Sequence, residues 1–485
     1  MRTEGHKNSL GITRKIIRIF SRLLLWFFAV IGFVTIAVII AMIVFIPSEK
    51  TNPDTVEYIR SSAAEGKIAY KLTVQEDMKK MLGSPMKETT TNDGGMQKLI
   101  LEWPGIIAAF TKMRDYSAPF TLEYMMTGGK TISLGRFTDT FGGISINIGR
   151  NKPIVLQSEN DLTKFDPFRG FAGVSLEKLD LREYAKLLSE MPFDSRTKWP
   201  DSNKLPENFN PTRIVEESKN SGLGIRELHK QKIDGHGVGI AIIDQPLLIN
   251  HSEYKDAIVK YEKIDVLGVS PQMHGPPVSS IAVGTTCGVA PKAMLYYFAV
   301  PTWKWLENKP WAETVEKIIE LNKNLDESKK IRVISISLGA FSQRPNYELW
   351  KNVVERANEN GILVVTCDPE FLKYGTLKHI ENTSCDDPEN FQRGRYVSPG
   401  DELFVPAGNR TTASHYGTDV YTYWREGGIS WAVPYLAGLA ALAYQVNPNI
   451  EPKKIVDLWL KTAVHTDVGP VVNPTGFIEA VRDIK

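Results

Sequence analysis

Twenty-four consecutive residues, Leu23 to Ile46, carry no charge, and no polar position recurs at helical spacing among them. As a helix rising ~1.5 Å per residue the run would span about 36 Å, enough to cross a hydrocarbon core of ~30 Å with some tilt. Pro47 and Ser48 end it. A cleaved signal peptide is the alternative reading. Its apolar core would be about 7–15 residues followed by small side chains, whereas Val44, Phe45 and Ile46 close this run. The pattern therefore predicts an uncleaved transmembrane helix over 23–46.

Beyond it the pattern is mixed. Residues 47–66 are polar and read as a stalk. From about Leu72 to Phe137 the chain predicts a small α+β unit. VQEDMKKMLG (74–83) has helical spacing and a terminal Gly, TTTNDGG (89–95) reads as a turn, and MQKLILEW (96–103) as a strand. ISINIG (144–149) is a further strand, and LEKLDLREYAKLLSEM (176–191) is predicted as a helix. GGKT (128–131) is similar to part of a phosphate loop, but Tyr124 stands where that loop needs its first Gly, so a hairpin turn is the better reading. TKWPDSNKLPENFNP (197–211) carries three prolines and marks a boundary. The division is thus a tail over 1–22, the apolar helix, an accessory region over 47–204 and a larger domain over 205–485.

From about Ile225 the period changes. GVGIAIID (237–244), MLYYFAV (294–300), IRVISISLG (331–339) and GILVVTC (361–367) are short apolar runs rich in Val and Ile. Stretches of helical spacing separate them, such as WAETVEKIIELNKNL (311–325) and YELWKNVVERANEN (347–360). Buried strands alternating with helices predict an α/β fold: a mostly parallel sheet with helices on both faces. In such sheets a site forms at the carboxyl ends of the strands, and Asp244 ends the first of these runs.

Composition sharpens this picture in two places. The net charge of +2 hides an asymmetry: six basic residues in 1–22 face the single Glu4, an excess of five, so the rest of the chain carries −3. The positive-inside rule then keeps 1–22 in the cytoplasm and exports the residues beyond the apolar helix. A cell-membrane, single-pass protein with an extracytoplasmic domain is expected, contacting the bilayer through 23–46. The near balance of charge argues against a nucleic-acid partner held by bulk charge. Three cysteines, Cys287, Cys367 and Cys385, exclude a disulfide-stapled scaffold. Cys367 and Cys385 lie 18 apart, and a bridge between them would be worth about 3 kcal/mol. The odd count instead favours free thiols, with Cys287 as a small buried hydrophobe.

Three polar residues stand where a parallel-sheet hydrolase would place them. Asp244 closes a strand. His274 lies in MHGPPVSSIAVG (273–284), where small residues and prolines lead into a helix. Ser430 lies in GGISWAVPYLAGLAALAYQ (427–445), a Gly-rich entry to a long apolar helix. A helix start has spare N–H donors and a positive dipole end, which suits an oxyanion. A serine needs a base, histidine supplies one, and a buried carboxylate fixes its tautomer. Read singly, each has an ordinary role: a turn former, a surface imidazole, a helix cap.

In order and surroundings the three resemble the catalytic residues of the subtilisin-like serine proteases, the subtilases. GHGVGIAIID (235–244) is similar to the family's Asp strand, and HGPPVSSIAVG followed by GVAPKAMLYYFAV (288–300) to its His segment. ISISLG (334–339) is similar to the strand that pairs with substrate backbone, and GISWAVPYLAGLAAL (428–442) to the nucleophile segment. The order Asp, His, Ser and gaps of 30 and 156 residues are also similar. The resemblance covers about residues 205–485. It implies a subtilisin-like fold and a serine endopeptidase acting on protein or peptide through an acyl-enzyme, which the anchor expected over 23–46 would tie to the membrane. In it Ser430 would be the nucleophile, His274 the general base and then acid, and Asp244 the orienting carboxylate. Ser337, Leu338 and Gly339 would bind substrate as an added strand, the Gly leaving room for it. No cofactor is required and no metal motif is present. Many members hold structural calcium, for which no ligand set maps onto this sequence. The region 47–204 would be accessory, docking substrate, spacing the domain from the membrane or chaperoning its folding.

Departures from the family pattern are concentrated at the cleft. Gln245-Pro246 follow the Asp where Thr or Ser then Gly is usual, His274-Gly275-Pro276-Pro277 replaces HGTH, and GISWAVP (428–434) replaces GTSMAAP. Most consequential, the oxyanion Asn that usually follows the GILVVTC-like strand is absent from TCDPEF (366–371). Ungapped spacing puts Glu370 there and a short deletion puts Asp368 there. A protonated carboxyl donates a hydrogen bond and an ionised one repels an oxyanion; losing one donor costs about 3–4 kcal/mol. Asp368 is therefore the candidate oxyanion residue. A pseudoprotease that uses the cleft to hold or sense peptides is the alternative. An α/β-hydrolase reading fails because Ala432 interrupts G-x-S-x-G, and a zinc peptidase reading because H-E-x-x-H is missing.

Overall fold

The structure is a computed structural model that describes residues 75–93, 96–103, 106–113, 121–127, 130–132, 154–164, 170–266, 269, 271–302, 305, 307–339 and 341–484. The expected transmembrane helix, the basic tail, the stalk and the ISINIG strand lie outside the described residues. The one described helix long and apolar enough to cross a membrane by composition is Ile429–Val446, and 78% of it is buried inside the protein.

The N-terminal unit opens with helix α1 (Gln75–Leu82). Five strands follow as an antiparallel meander: β1 (Lys87–Asp93), β2 (Met96–Trp103), β3 (Ile106–Met113), β4 (Thr121–Thr127) and β5 (Lys130–Ile132). Leu99, Leu101 and Trp103 alternate along β2 and are all buried, the period of a one-sided sheet. The Trp103 indole N–H donates to the Gly83 carbonyl at 2.9 Å, tying the end of α1 to β2. Thr127 pairs with Lys130 across β4 and β5, the hairpin expected around GGKT. The turn expected over 89–95 is narrower than the sequence suggests, because β1 continues through Asp93. Threonine's β-branched side chain suits a strand as well as a turn.

A second segment packs onto the large domain. β6 (Ile154–Val155) pairs with β7 (Val174–Ser175), and β8 (Phe193–Asp194) pairs with a later hairpin. The helix expected over 176–191 is confined to a 3₁₀ turn and a short α2 (Ala185–Glu190). The apolar residues before it, Leu176, Leu179 and Leu181, instead fill a core with Phe171, Phe193 and Tyr423. Helices α3 (Pro211–Glu217) and α4 (Ile225–Lys230) lead into the main sheet.

That sheet contains β9 (Gly239–Asp244), β10 (Ile258–Lys263), β11 (Met294–Ala299), β12 (Ile331–Ile336) and β13 (Leu363–Thr366), ordered β10-β11-β9-β12-β13 and parallel throughout. Both faces are covered, as the near-continuous apolar runs require. Along β9, Ile240 and Ile242 join one core while Ala241 and Ile243 join the other. α5 (Gly275–Val283) and α8 (Ile429–Val446) cover the first face; α6 (Lys309–Lys323) and α7 (Tyr347–Glu359) cover the second. Further sheet is built from β14 (Tyr374–His379), β15 (Phe391–Arg393) and β16 (Leu403–Gly408), with β17 (Arg410–Ala413) and β18 (Tyr421–Trp424) as the hairpin that β8 joins. After α8 come α9 (Pro452–Thr462), β19 (Val464–Thr466), β20 (Gly469–Val471) and α10 (Pro474–Arg482).

Candidate active site

Asp244 is the last residue of β9 and is 3% exposed. Its carboxylate accepts from the Gln245 amide at 2.7 Å and faces His274, whose Nδ1 lies 2.8 and 2.9 Å from the two carboxylate oxygens. An ionised carboxylate only accepts, so Nδ1 carries the proton and Nε2 is left as the lone-pair nitrogen. His274 occupies the N-cap position of α5, with Pro276 and Pro277 in the first turn, where a missing N–H costs nothing. Gly275 is dictated by crowding: a Cβ there would lie 2.5 Å from the Tyr297 hydroxyl and 2.7 Å from the Gln245 carbonyl. That hydroxyl donates to the same carbonyl, which pins the turn after Asp244.

Ser430 sits in the first turn of α8. The helix cap is Gly428, which has no side chain to take up the first amides, so the Ser430 N–H is one of the orphan donors of this helix start. Pro434 lies four residues further along and has no N–H to return to the Ser430 carbonyl. The Ser337 hydroxyl takes that carbonyl instead, at 2.9 Å, and the Ser430 hydroxyl lies 3.4 Å from the Ser337 carbonyl. The strand-end segment Ser337–Gly339 and the start of α8 are therefore stitched together, with β12 next to β9 in the sheet. His274 is carried into the same place by its ring, which meets the Trp431 ring edge-on at 5.3 Å. Trp424 packs edge-on against Trp431 in turn, at 5.7 Å, with its indole N–H donated to the Thr412 hydroxyl.

The segment after β13 closes the far side. The Cys367 amide donates to the Leu338 carbonyl at 2.9 Å, and a Cβ on Gly339 would lie 2.8 Å from the Cys367 carbonyl. Burial pushes the Cys367 thiol up to about 12, with Tyr374 and Ser430 opposing the rise, so it is a neutral thiol on this side of the site. Asp368 is 3% exposed, and its two carboxylate oxygens accept the Phe341 amide at 2.7 Å and the Glu370 amide at 3.0 Å. In this arrangement Asp368 accepts and does not donate. Acting as an oxyanion donor would require it to gain a proton. Cys367 and Cys385 are both free thiols, and Cys287 is a buried one. No group of three or more metal-ligating side chains occurs among the described residues.

Sequence reasoning did not anticipate the contacts of Cys367, Trp431 and Pro434 with this arrangement. Trp431 and Pro434 flank the candidate nucleophile, and Pro inside a helix was a visible sign of a freed carbonyl. Nothing local announced the thiol, because its place on this side of the site depends on β13 lying beyond β12.

A five-stranded parallel sheet with this Asp–His pair at its carboxyl edge and a serine at a helix start is the architecture of a subtilisin-like hydrolase domain. Residues 235–368 match the model of the subtilase family (Peptidase_S8), so the domain is that of a subtilase, a family of serine-type proteases. Among curated proteins, the subtilisin-like protease PopC of Myxococcus xanthus (strain DK1622) is 24% identical over 308 residues, 53% of this chain and 62% of that protein. The chain thus spans under two thirds of that relative. Among solved structures, the prenylagaramide maturation protease PagA is 18% identical with a TM-score of 0.41, covering 53% of this chain and 98% of that one. A cold-adapted subtilisin-like serine proteinase is 19% identical with a TM-score of 0.35, covering 49% and 89%.

Proposed function

We propose that the protein is a membrane-anchored serine endopeptidase whose subtilase domain faces the extracytoplasmic side and hydrolyses peptide bonds in protein or peptide substrates. The observation that carries the catalytic part is the Asp244–His274 pair at 2.8 Å beside a serine at a helix start. In this reading the His274 Nε2 takes the proton of the Ser430 hydroxyl as its oxygen attacks the scissile carbonyl. Asp244 holds the imidazole's tautomer and stabilises the imidazolium. The tetrahedral oxyanion takes the Ser430 N–H. His274 then protonates the leaving amine, leaving an acyl-enzyme that water hydrolyses through the same base. Ser337 and Gly339 offer backbone to the substrate as an added strand, with Leu338 between them held to Cys367 and Ile336. The uncharged run over 23–46 with its basic flank supports the anchor and the orientation.

One observation favours a second reading, a peptide-holding pseudoprotease: Asp368, the candidate oxyanion residue, is occupied as an acceptor. The two readings separate under a serine-directed fluorophosphonate probe applied to the full chain in detergent, beside Ser430→Ala. Labelling that disappears in Ser430→Ala supports the peptidase. Equal or absent labelling of both proteins sinks it and leaves the binding module.

A further inference from the structure

Away from the triad, a cavity of about 630 Å³ lies between the 206–226 segment, the 379–391 loop and the β16–β18 strands. Its charged lining is nearly self-neutralised. Arg213 lies near Glu217 at 3.8 Å. Arg425 is taken up by the Leu188 and Met191 carbonyls, the Tyr423 hydroxyl and Glu381. Asp386 accepts the Gly224 amide at 2.9 Å, and Glu207 is exposed.

Four arginines face Glu207, Glu217, Glu381 and Asp386 around the cavity, and Arg410 is the buried arginine among them with no ion-pair partner among the described residues. It lines the cavity and is 3% exposed. Its Nη2 donates to the Cys287 carbonyl at 2.9 Å and to the Ser221 hydroxyl at 3.2 Å, both neutral acceptors. Its Nε and Nη1 have no partner among the described residues, and no carboxylate there forms an ion pair with it. The Tyr435 ring lies 5.5 Å from the guanidinium carbon, and its buried hydroxyl also lacks a partner among the described residues. A buried guanidinium cannot shed its charge, and leaving such a charge without a counter-ion is strongly unfavourable. Arg226 is exposed and lines the same cavity.

We propose that this cavity is a binding site for a small oxyanion, a carboxylate- or phosphate-bearing molecule whose negative group sits against Arg410 with Arg226 at the mouth. The site is separate from the proposed triad. It is connected to α8 because Tyr435 is on the helix whose first turn holds Ser430.

The test is thermal unfolding of the full chain in detergent, titrated with sodium acetate and with sodium phosphate, each against sodium chloride at matched ionic strength. Either oxyanion is expected to raise the midpoint in a saturable way that chloride does not reproduce. Arg410→Met, which replaces the buried charge by a stem of similar length, should abolish the shift. Arg226→Gln is on the surface and should fold normally; it should raise the half-saturating concentration about threefold, as for loss of an exposed charge contact. If Arg410→Met fails to fold, Arg226→Gln carries the decision. No oxyanion-dependent shift in the wild-type protein, or a shift unchanged in the variants, would leave the cavity to water and overturn the proposal. The readout is independent of peptidase activity, so its failure is distinct from failure of Ser430 labelling.

Discussion

Two buried aspartates leave the carboxyl edge of one parallel sheet, Asp244 at the end of β9 and Asp368 just past β13, and each is 3% exposed. Asp244 spends its oxygens on one amide and an imidazole. Asp368 spends both on main-chain amides, those of Phe341 and Glu370. Burial and residue type are the same; the partner differs. A carboxylate facing an imidazole supports chemistry, because the imidazole changes charge during a reaction. A carboxylate facing backbone N–H groups organises a turn, because those donors never change. The difference teaches that a strand-end aspartate is assigned by the group it accepts from.

The largest test of this contrast removes Ser430, the proposed nucleophile on the Asp244 side. Ser430→Ala is expected to lower kcat by about 10⁶-fold, leaving the residual rate of binding alone. A loss of less than tenfold on a cleaved peptide would place the nucleophile elsewhere. Next, Asp244→Asn keeps the shape but favours the wrong imidazole tautomer, and kcat should fall about 10⁴-fold with KM little changed. The same substitution at Asp368 should act on folding. One amide loses its acceptor, so Asp368→Asn should cost about 1–3 kcal/mol in urea unfolding. If Asp368→Asn instead raises kcat without loss of stability, or alters the acidic limb of the pH–rate profile, Asp368 belongs to the oxyanion site and the contrast breaks.

The smallest expected effect is a pH dependence that involves neither aspartate. Burial pushes the imidazole of His251 below its ordinary 6.5, and its Nε2 lies 2.9 Å from the Val420 carbonyl. His229 and His379 are lowered for the same reason. A base with a depressed folded-state pKa is neutral in both states above pH 6.5, and only the unfolded chain gains its proton just below that. Stability is therefore full above pH 6.5 and falls as pH drops through the range below it. Glu253 adds a separate loss at lower pH. Burial alone would raise its carboxyl, but the Thr286 hydroxyl and amide, the Tyr421 hydroxyl and the Cys287 amide outweigh this and hold it below 4.5. Urea midpoints at pH 7.5, 6 and 5 should decline in wild type and decline less in His251→Phe. A flat profile would show that these imidazoles remain protonatable in the folded chain.

Much of this was legible along the chain. The Val- and Ile-rich runs marked β9, β11, β12 and β13 to within a few residues, since a strand buried on both faces has no reason to alternate. The starts of α5 and α8 were marked by prolines and glycines that tolerate orphan amides. By contrast, 176–191 read as one helix and folds mostly otherwise, because leucines at helical spacing satisfy a helix face and an irregular core equally well. β14 to β20 left little signal, being short and paired with distant partners whose identity no local window contains.

The sequence alone determined the candidates, Asp244, His274 and Ser430, because each sits at a strand or helix terminus defined by neighbours a few residues away. It also determined the charge asymmetry about the apolar run over 23–46. Tertiary structure alone decided which carboxylate meets the imidazole, that Ser337 takes the carbonyl Pro434 frees, and that Arg410 is buried without a counter-ion. Those contacts join residues 30, 93 and 123 or more positions apart. Sequence spacing carries no information about them until the sheet order brings the strand ends together.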